Sequence, residues 1–326
     1  MKLLEKLLQA DGVSGNEEEI RKMIIEEIKD LCDDYEVDAM GNTIAHKKGA
    51  GAKVMLAAHI DEIGVIVTYI DDKGFARFSP IGGLYVKNLV NRRVRFANGT
   101  IGVIGSEEKA FNDKPEISKL YIDIGAASKE EAQKRISIGT TAAFVGETVI
   151  SGNTVISKAL DNRAGCYMLI KAMERIEHPK NDLYFVFTTQ EEVGLRGAKA
   201  AAYSVNPDYA IAVDVTDTGD TPECPTMAVK LGGGAAIKVM DRSVMCDIDV
   251  RCAMIEAAKK HGIKYQLEIM ADGGTDAGAI HLTRAGVKTG GISLPTRYVH
   301  SPSEMANTDD LEACVKLLTT VAEKLG

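Results

Sequence analysis

From about Val65 to Ile156 the chain is a succession of short β-type runs, whereas the segments on either side alternate strand-like and helix-like patterns. That break shapes every other expectation about the fold. Alternating βα units call for an α/β sheet with helices on both faces. The runs VIVTYI, RVRFA, TIGVIG, KLYIDI and TAAFVG call instead for a small barrel or sandwich, and Asn98-Gly99 between two of them is a hairpin signal. One short helix is expected there, near 129–136. The simplest organisation is a discontinuous α/β domain, 1–65 and 155–326, interrupted by a β-rich insertion at 66–154, which is long enough to be a domain.

Residues 53–58, KVMLAA, form the continuous apolar run of a strand buried on both faces, and they lead directly into His59-Ile60-Asp61-Glu62. Short strands are expected near 35–38 and 42–46. After the insertion, a helix over 164–176 precedes a strand over 183–189, and a helix over 198–203 precedes a strand over 209–215. Next come a helix over 248–261 ending at Gly262, a strand over 265–269, and a helix over 275–285 ending at Gly286, with Thr275 and Asp276 as candidate caps. A strand over 288–293 and an amphipathic helix from about 309 to 325 close the chain. Near the start, Ser14 and Glu17 have the spacing of a capping box. They precede Ile20, Met23, Ile24, Ile28 and Leu31, which share one helical face.

A formal net charge of −8 argues against nucleic acid or an anionic membrane as partner, since both select a basic face. Glu5 and Lys6 interrupt the apolar run of MKLLEKLLQADG, which therefore reads as an amphipathic helix rather than a signal peptide, and no apolar stretch reaches membrane-spanning length. None of the six cysteines forms a C-x-x-C pair, so reduced thiols and a cytoplasmic location are expected.

Polar clusters follow the apolar strand patterns: His59-x-Asp61, Asp161-Asn162 before a helix, Glu191-Glu192, and Asp214 at the end of YAIAVD. In an open α/β sheet, ligands gather at the carboxyl ends of strands. Carboxylates and imidazoles converging there need compensation, and metal ions supply it. Mixed His and carboxylate donors suit Zn²⁺, Co²⁺ or Mn²⁺ better than Ca²⁺. On a strand, Asp61 would share a face with His59 and could accept its ring N–H. Of the adjacent Glu191 and Glu192, one could bind metal while the other acts as general base. Taken singly, each residue also has a plain reading: His59 as a hydrogen-bonded core histidine, Asp161 or Asp214 as a cap, His300 as a loop histidine, Glu191-Glu192 as a solvated acidic pair. Gly232-Gly233-Gly234 and Gly273-Gly274 lack the following Lys-Ser/Thr of a phosphate loop.

The segments AHIDEIG, KALDNRAG, TTQEEVGLRGA, AVDVTDTGD, GGTDAGAI and RYVHSPSE, in this order and spacing, resemble those of the tetrahedral (TET) and glutamyl aminopeptidase family of co-catalytic dimetal exopeptidases, some members of which carry an endoglucanase label. The resemblance runs nearly end to end. It implies an α/β fold: a mixed-sheet, zinc-peptidase-like catalytic domain with an inserted β-rich dimerisation domain. It implies that His59 and Asp214 hold one metal ion, that Glu192 and His300 hold the other, and that Asp161 bridges them. Glu191 would be the general base, Asp61 would support His59, and the Asp161-Asn162 peptide would be cis. It further implies release of N-terminal residues from short peptides, and hollow dodecamers built from dimers. Two alternatives stand beside this. An endoglucanase-type glycoside hydrolase would use the carboxylates as acid and base. It leaves the histidines without a role, and a chain with no Trp and 5% aromatics is poorly supplied for sugar stacking. An inactive peptidase-fold scaffold would show a lost ligand or base, and no such position is lost.

Overall fold

The strand Lys53–His59 shows how the sequence builds the centre of the molecule. Val54, Leu56 and Ala58 face one hydrophobic core, and Met55 and Ala57 face another on the opposite side. A period of two with both phases apolar is what a strand covered on both faces requires. The computed structural model, which describes residues 1–107 and 116–326, places this strand in an 11-stranded mixed sheet. Four neighbouring strands run parallel in the order Asp182–Thr188, Lys53–His59, Tyr209–Thr216 and Lys288–Arg297. Thr43–Lys47 and then Asp34–Val37 extend one edge in the antiparallel sense. Glu304–Asn307 and the hairpin of Thr154–Ser157 with Val149–Ser151 extend the other. Ala235–Met240 pairs with Lys288–Arg297 off this path and carries Tyr265–Ile269 beside it.

Helices Lys2–Gln9, Leu160–Arg175, Ile248–His261 and Thr308–Ala322 contribute to the larger core, and Arg196–Val205 and Ala277–Ile280 to the smaller. Each Leu, Ile or Phe withdrawn from water here contributes about 1.5–3 kcal/mol. The α/β layering is therefore the expected one.

The β-rich stretch folds as a closed barrel of Gly64–Ile70, Ala76–Ile81, Leu120–Asp123, Ile101–Ser106, Arg93–Phe96 and Thr141–Phe144. Its interior holds Val65, Val67, Phe78, Val94, Phe96, Ile104, Ile122 and Phe144. Asn98-Gly99 forms the expected turn: Gly99 has φ 85°, and its N–H donates to the Phe96 carbonyl. The barrel ends with Thr141–Phe144; the strands 149–151 and 154–157, counted with the insertion up to 154, pair into the large sheet instead.

Two local expectations fail because the side chains expected to cap make their hydrogen bonds elsewhere. Ser14 and Glu17 do not form a capping box. The helix begins at Glu18 without a side-chain cap; Ser14 Oγ donates to Asp61 Oδ2 (2.6 Å), and the Glu17 carboxylate accepts the Gly15 N–H (2.7 Å). The helix expected over 275–285 is only Ala277–Ile280. Thr275 donates to Asp241 and Asp276 accepts from Thr188, so neither side chain caps, and Arg284 at φ 51° ends any continuation.

Candidate active site and metal centre

All of the expected site residues lie at the carboxyl ends of the parallel strands. His59 is the last residue of its strand, Asp214 lies near the end of Tyr209–Thr216, and Glu191 and Glu192 follow Asp182–Thr188 on a turn. Asp161 stands at the head of Leu160–Arg175, where the backbone is not yet helical and the Asp161-Asn162 peptide is cis. His300 sits in the loop beyond Lys288–Arg297, at φ 60°.

They converge as two overlapping triads, His59–Asp161–Asp214 and Asp161–Glu192–His300. His59 Nε2 lies 3.0 Å from Asp161 Oδ1 and 3.6 Å from Asp214 Oδ1. His300 Nε2 lies 3.4 Å from both Asp161 Oδ2 and Glu192 Oε2. Asp161 thus addresses the two groups through different oxygens. Glu191 belongs to neither triad; its Oε2 is 4.0 Å from His59 Nε2.

The His59 ring is held from behind. Its Nδ1 lies 3.1 Å from the Asp61 carbonyl oxygen and 3.5 Å from the Asp61 carboxylate. The carboxylate itself accepts the main-chain N–H groups of Glu191 (3.0 Å) and Glu192 (3.2 Å). The pairing of His59 with Asp61 drawn from strand spacing therefore runs mainly through the main chain, because the strand ends at His59 and the Asp61 side chain turns toward the next loop.

Charge in the cleft is out of balance. Burial pushes Glu192 up to about 8, with Asp161 adding to the shift, and lifts Glu191 and Asp214 as well. Burial opposes the charged form of His59, but Glu191, Asp161 and Asp214 outweigh it and hold the imidazole well above its usual range. His300 rises to about 10 in the same way, through Asp161 and Glu192. A cation among these carboxylates would relieve their mutual repulsion. The set of three carboxylates and two imidazoles suits first-row divalent metal ions.

Several contributing residues were not legible in the sequence. Glu304 is 2% exposed; it accepts the main-chain N–H of Asp161 (3.0 Å) and of His300 (2.9 Å), tying two expected ligands together. It ends the RYVHSPSE segment, the one signal that could have singled it out. Lys158, 1% exposed, donates to both Glu62 oxygens (2.9 Å each) and to Asp11 (3.0 Å). Arg163 donates to the carbonyls of Ile60, Leu7 and Ala10. The buried ions thus brace the segments that carry His59 and Asp161. The barrel also reaches the site. A Cβ on Gly82, at φ +78°, would lie 2.9 Å from Glu192 Oε2, and one on Gly83 would lie 3.0 Å from the His300 ring, so this turn passes close to both expected ligands. Gly83, Tyr85, Asp217, Arg242 and Met270, with the two triads and Glu191, line a cleft of about 630 Å³.

Comparison with known proteins agrees with this geometry. The family model of the M42 glutamyl aminopeptidases matches residues 41–317. A protein of Acetivibrio thermocellus is 58% identical over 97% of this chain and 96% of its own. The solved structure of an aminopeptidase from the archaeon Desulfurococcus kamchatkensis is 39% identical, with a TM-score of 0.95 over 99% of this chain and 94% of that one. The TET1 peptidase of Pyrococcus horikoshii, described as assembling into a tetrahedron or a large octahedral shell, is 37% identical, with a TM-score of 0.89 over 99% of both chains. The matched segment carries every strand and loop that brings an expected ligand to the cleft, and on that basis the chain is an aminopeptidase belonging to the M42 glutamyl aminopeptidase family.

Proposed function

We propose that this aminopeptidase is dinuclear, with His59 and Asp214 holding one divalent ion, Glu192 and His300 a second, and Asp161 bridging the two. The observation that carries the reading is the pair of overlapping triads meeting at the two oxygens of Asp161. Zn²⁺ or Co²⁺ suits these donors, and Mn²⁺ is the third candidate. Ions bound there would polarise the scissile carbonyl and acidify the attacking water. Glu191, beside the triads and in neither, takes the proton of that water and hands it to the departing amine. The Asp61 carboxylate keeps the Glu191 main chain in place for both transfers. Short peptides are the proposed substrates. A glycosidic reading would leave both imidazoles without a task.

We further propose that the barrel, together with Tyr69, Ile101, Val103 and Ile138 left exposed on it, makes dimer contacts from which a dodecamer is built. A cytoplasmic setting suits the cysteines, all of which are free thiols; burial pushes Cys166 and Cys246 up to about 12.

The test is a panel of chromogenic aminoacyl substrates, assayed after chelation and after readdition of Zn²⁺, Co²⁺ or Mn²⁺, with metal content measured in parallel. Loss on chelation, recovery with at least one ion and two ions per chain are expected. Full activity in the chelated protein, or one ion per chain at full activity, sinks the dinuclear reading.

A further inference from the structure

Capping-box spacing gives Ser14 a helix to cap, but the fold gives it another partner. Val13 bridges in parallel to Glu62, and the Asn16 N–H closes a turn on the Val13 carbonyl at 2.7 Å. Gly15, at φ 85°, completes that turn and leaves the Ser14 side chain directed inward, 8% exposed. Its hydroxyl donates to Asp61 Oδ2 at 2.6 Å, the shortest hydrogen bond that carboxylate receives.

Asp61 is fully buried. Its Oδ1 takes the Glu191 N–H, and its Oδ2 takes Ser14 and the longer bond from Glu192. The main chain it holds is one that needs holding: Gln190, just before Glu191, is a non-glycine residue at φ 54°. Without the hydroxyl, Oδ2 keeps only the 3.2 Å bond, and the carboxylate can turn about its own axis and release either amide. A serine serving only its own burial could have bonded any nearby carbonyl. This one bonds the single carboxylate that pins both acidic residues of the site. Nearby Glu17, 5% exposed, holds the turn by accepting the Gly15 N–H.

We propose that Ser14 is a positioning residue for catalysis, its hydroxyl fixing the Asp61 carboxylate, which fixes the main chain of Glu191 and Glu192. The inference rests on the reading of Glu191 as general base and Glu192 as metal ligand.

The experiment compares Ser14→Ala and Ser14→Thr with the wild-type chain, each loaded with Co²⁺ or Zn²⁺. It follows kcat, KM and amide hydrogen exchange across 189–194. Loss of an outer hydrogen bond of this kind costs about 10–100-fold. Ser14→Ala is expected to lower kcat about tenfold with KM within about twofold, and to speed exchange across 189–194 in both the loaded and the metal-free protein. Ser14→Thr keeps the donor and is expected to restore most of kcat and the protection. A wild-type kcat in Ser14→Ala, unchanged exchange across 189–194, or equal losses in both variants overturns the proposal. Chelation of the wild-type chain separates the two readings. Activity surviving chelation defeats the metal reading and leaves the exchange data to judge Ser14; activity lost on chelation but intact in Ser14→Ala defeats the Ser14 proposal alone.

Discussion

Asp161 and Asp61 are both buried carboxylates of the same cleft, and their different roles follow from what faces them. Asp161 meets two imidazoles, and their hydrogen bonds overcome the effect of burial and hold it below the usual carboxylate range. Asp61 meets main-chain N–H groups, a serine and the far side of the His59 ring at 3.5 Å, and lies in neither triad. Glu191 belongs to neither triad, its Oε2 4.0 Å from His59 Nε2, the place the proposed base would need. Glu191→Gln is nearly isosteric but cannot take a proton, so kcat should fall about 10²–10⁴-fold while two ions per chain are retained. Metal analysis alongside steady-state kinetics checks this, and near-normal turnover in a correctly loaded variant would assign the base elsewhere. Lys158 makes a second prediction at this scale. Its ammonium is the buried partner of Glu62 and Asp11, and Lys158→Met leaves those carboxylates short of a cation. Breaking a buried pair from one side costs about 3–5 kcal/mol. Urea unfolding of the metal-free protein should show a loss of that order, whereas a loss under about 1 kcal/mol would mean that Arg163 alone compensates Glu62.

At the scale of elements, loops supply much of the cleft wall. The connection from Tyr209–Thr216 to Ala235–Met240 supplies Asp217 to the cleft wall. Asp220 anchors it, accepting from Arg297 Nε (3.0 Å), Arg297 Nη2 (2.7 Å) and the Leu231 N–H (3.0 Å). The Arg297 guanidinium brings the Asp220 carboxyl down to about 2. A folded-state value below the unfolded one contributes stability that is present above about pH 3.8 and is lost as pH falls toward 2. Solvent screening trims what this shift is worth, so Asp220→Asn should lower stability by about 1 kcal/mol at neutral pH, with the gap narrowing below pH 4. Thermal melts of both proteins from pH 7 down to pH 3 measure it, and a gap independent of pH would remove the ion pair as the cause.

For the whole molecule, the question is what a closed barrel that supplies no expected ligand contributes. It supplies Gly83 and Tyr85 to the cleft wall, and Arg95 binds Asp11 through two hydrogen bonds (2.6 and 2.8 Å), so the barrel is tied to the braced N-terminal segment. Tyr69, Ile101, Val103 and Ile138 stay exposed on the barrel. Light scattering with metal present should give a mass of about twelve chains of 35.0 kDa, or a dimer as the partial assembly. A chain that scatters as a monomer would end the assembly proposal. Within a hollow particle only short or unfolded peptides should be cleaved, and rapid trimming of a large folded protein would contradict restricted access.

What the sequence determined by itself was whatever is written in contiguous residues. The apolar strand of residues 53–58, the helix ending at Gly262 and the Asn98-Gly99 turn follow from periodicity and backbone preference, and all three stand where they were expected. His59, Asp161, Glu191, Glu192 and Asp214 were legible because each abuts a strand or helix pattern, and strand ends of an α/β sheet meet in one crevice. His300 came only through resemblance, since a loop has no period that fixes a face. The tertiary structure decided the rest. Ser14 and Thr275 carry the local signature of caps, but their hydroxyls donate to the buried carboxylates of Asp61 and Asp241, and that charge-assisted bond wins over accepting an N–H from a solvated helix end. Glu304 and Lys158 become part of the site only because strands far apart in sequence lie side by side, and a lone charge left buried between them would be too costly to keep.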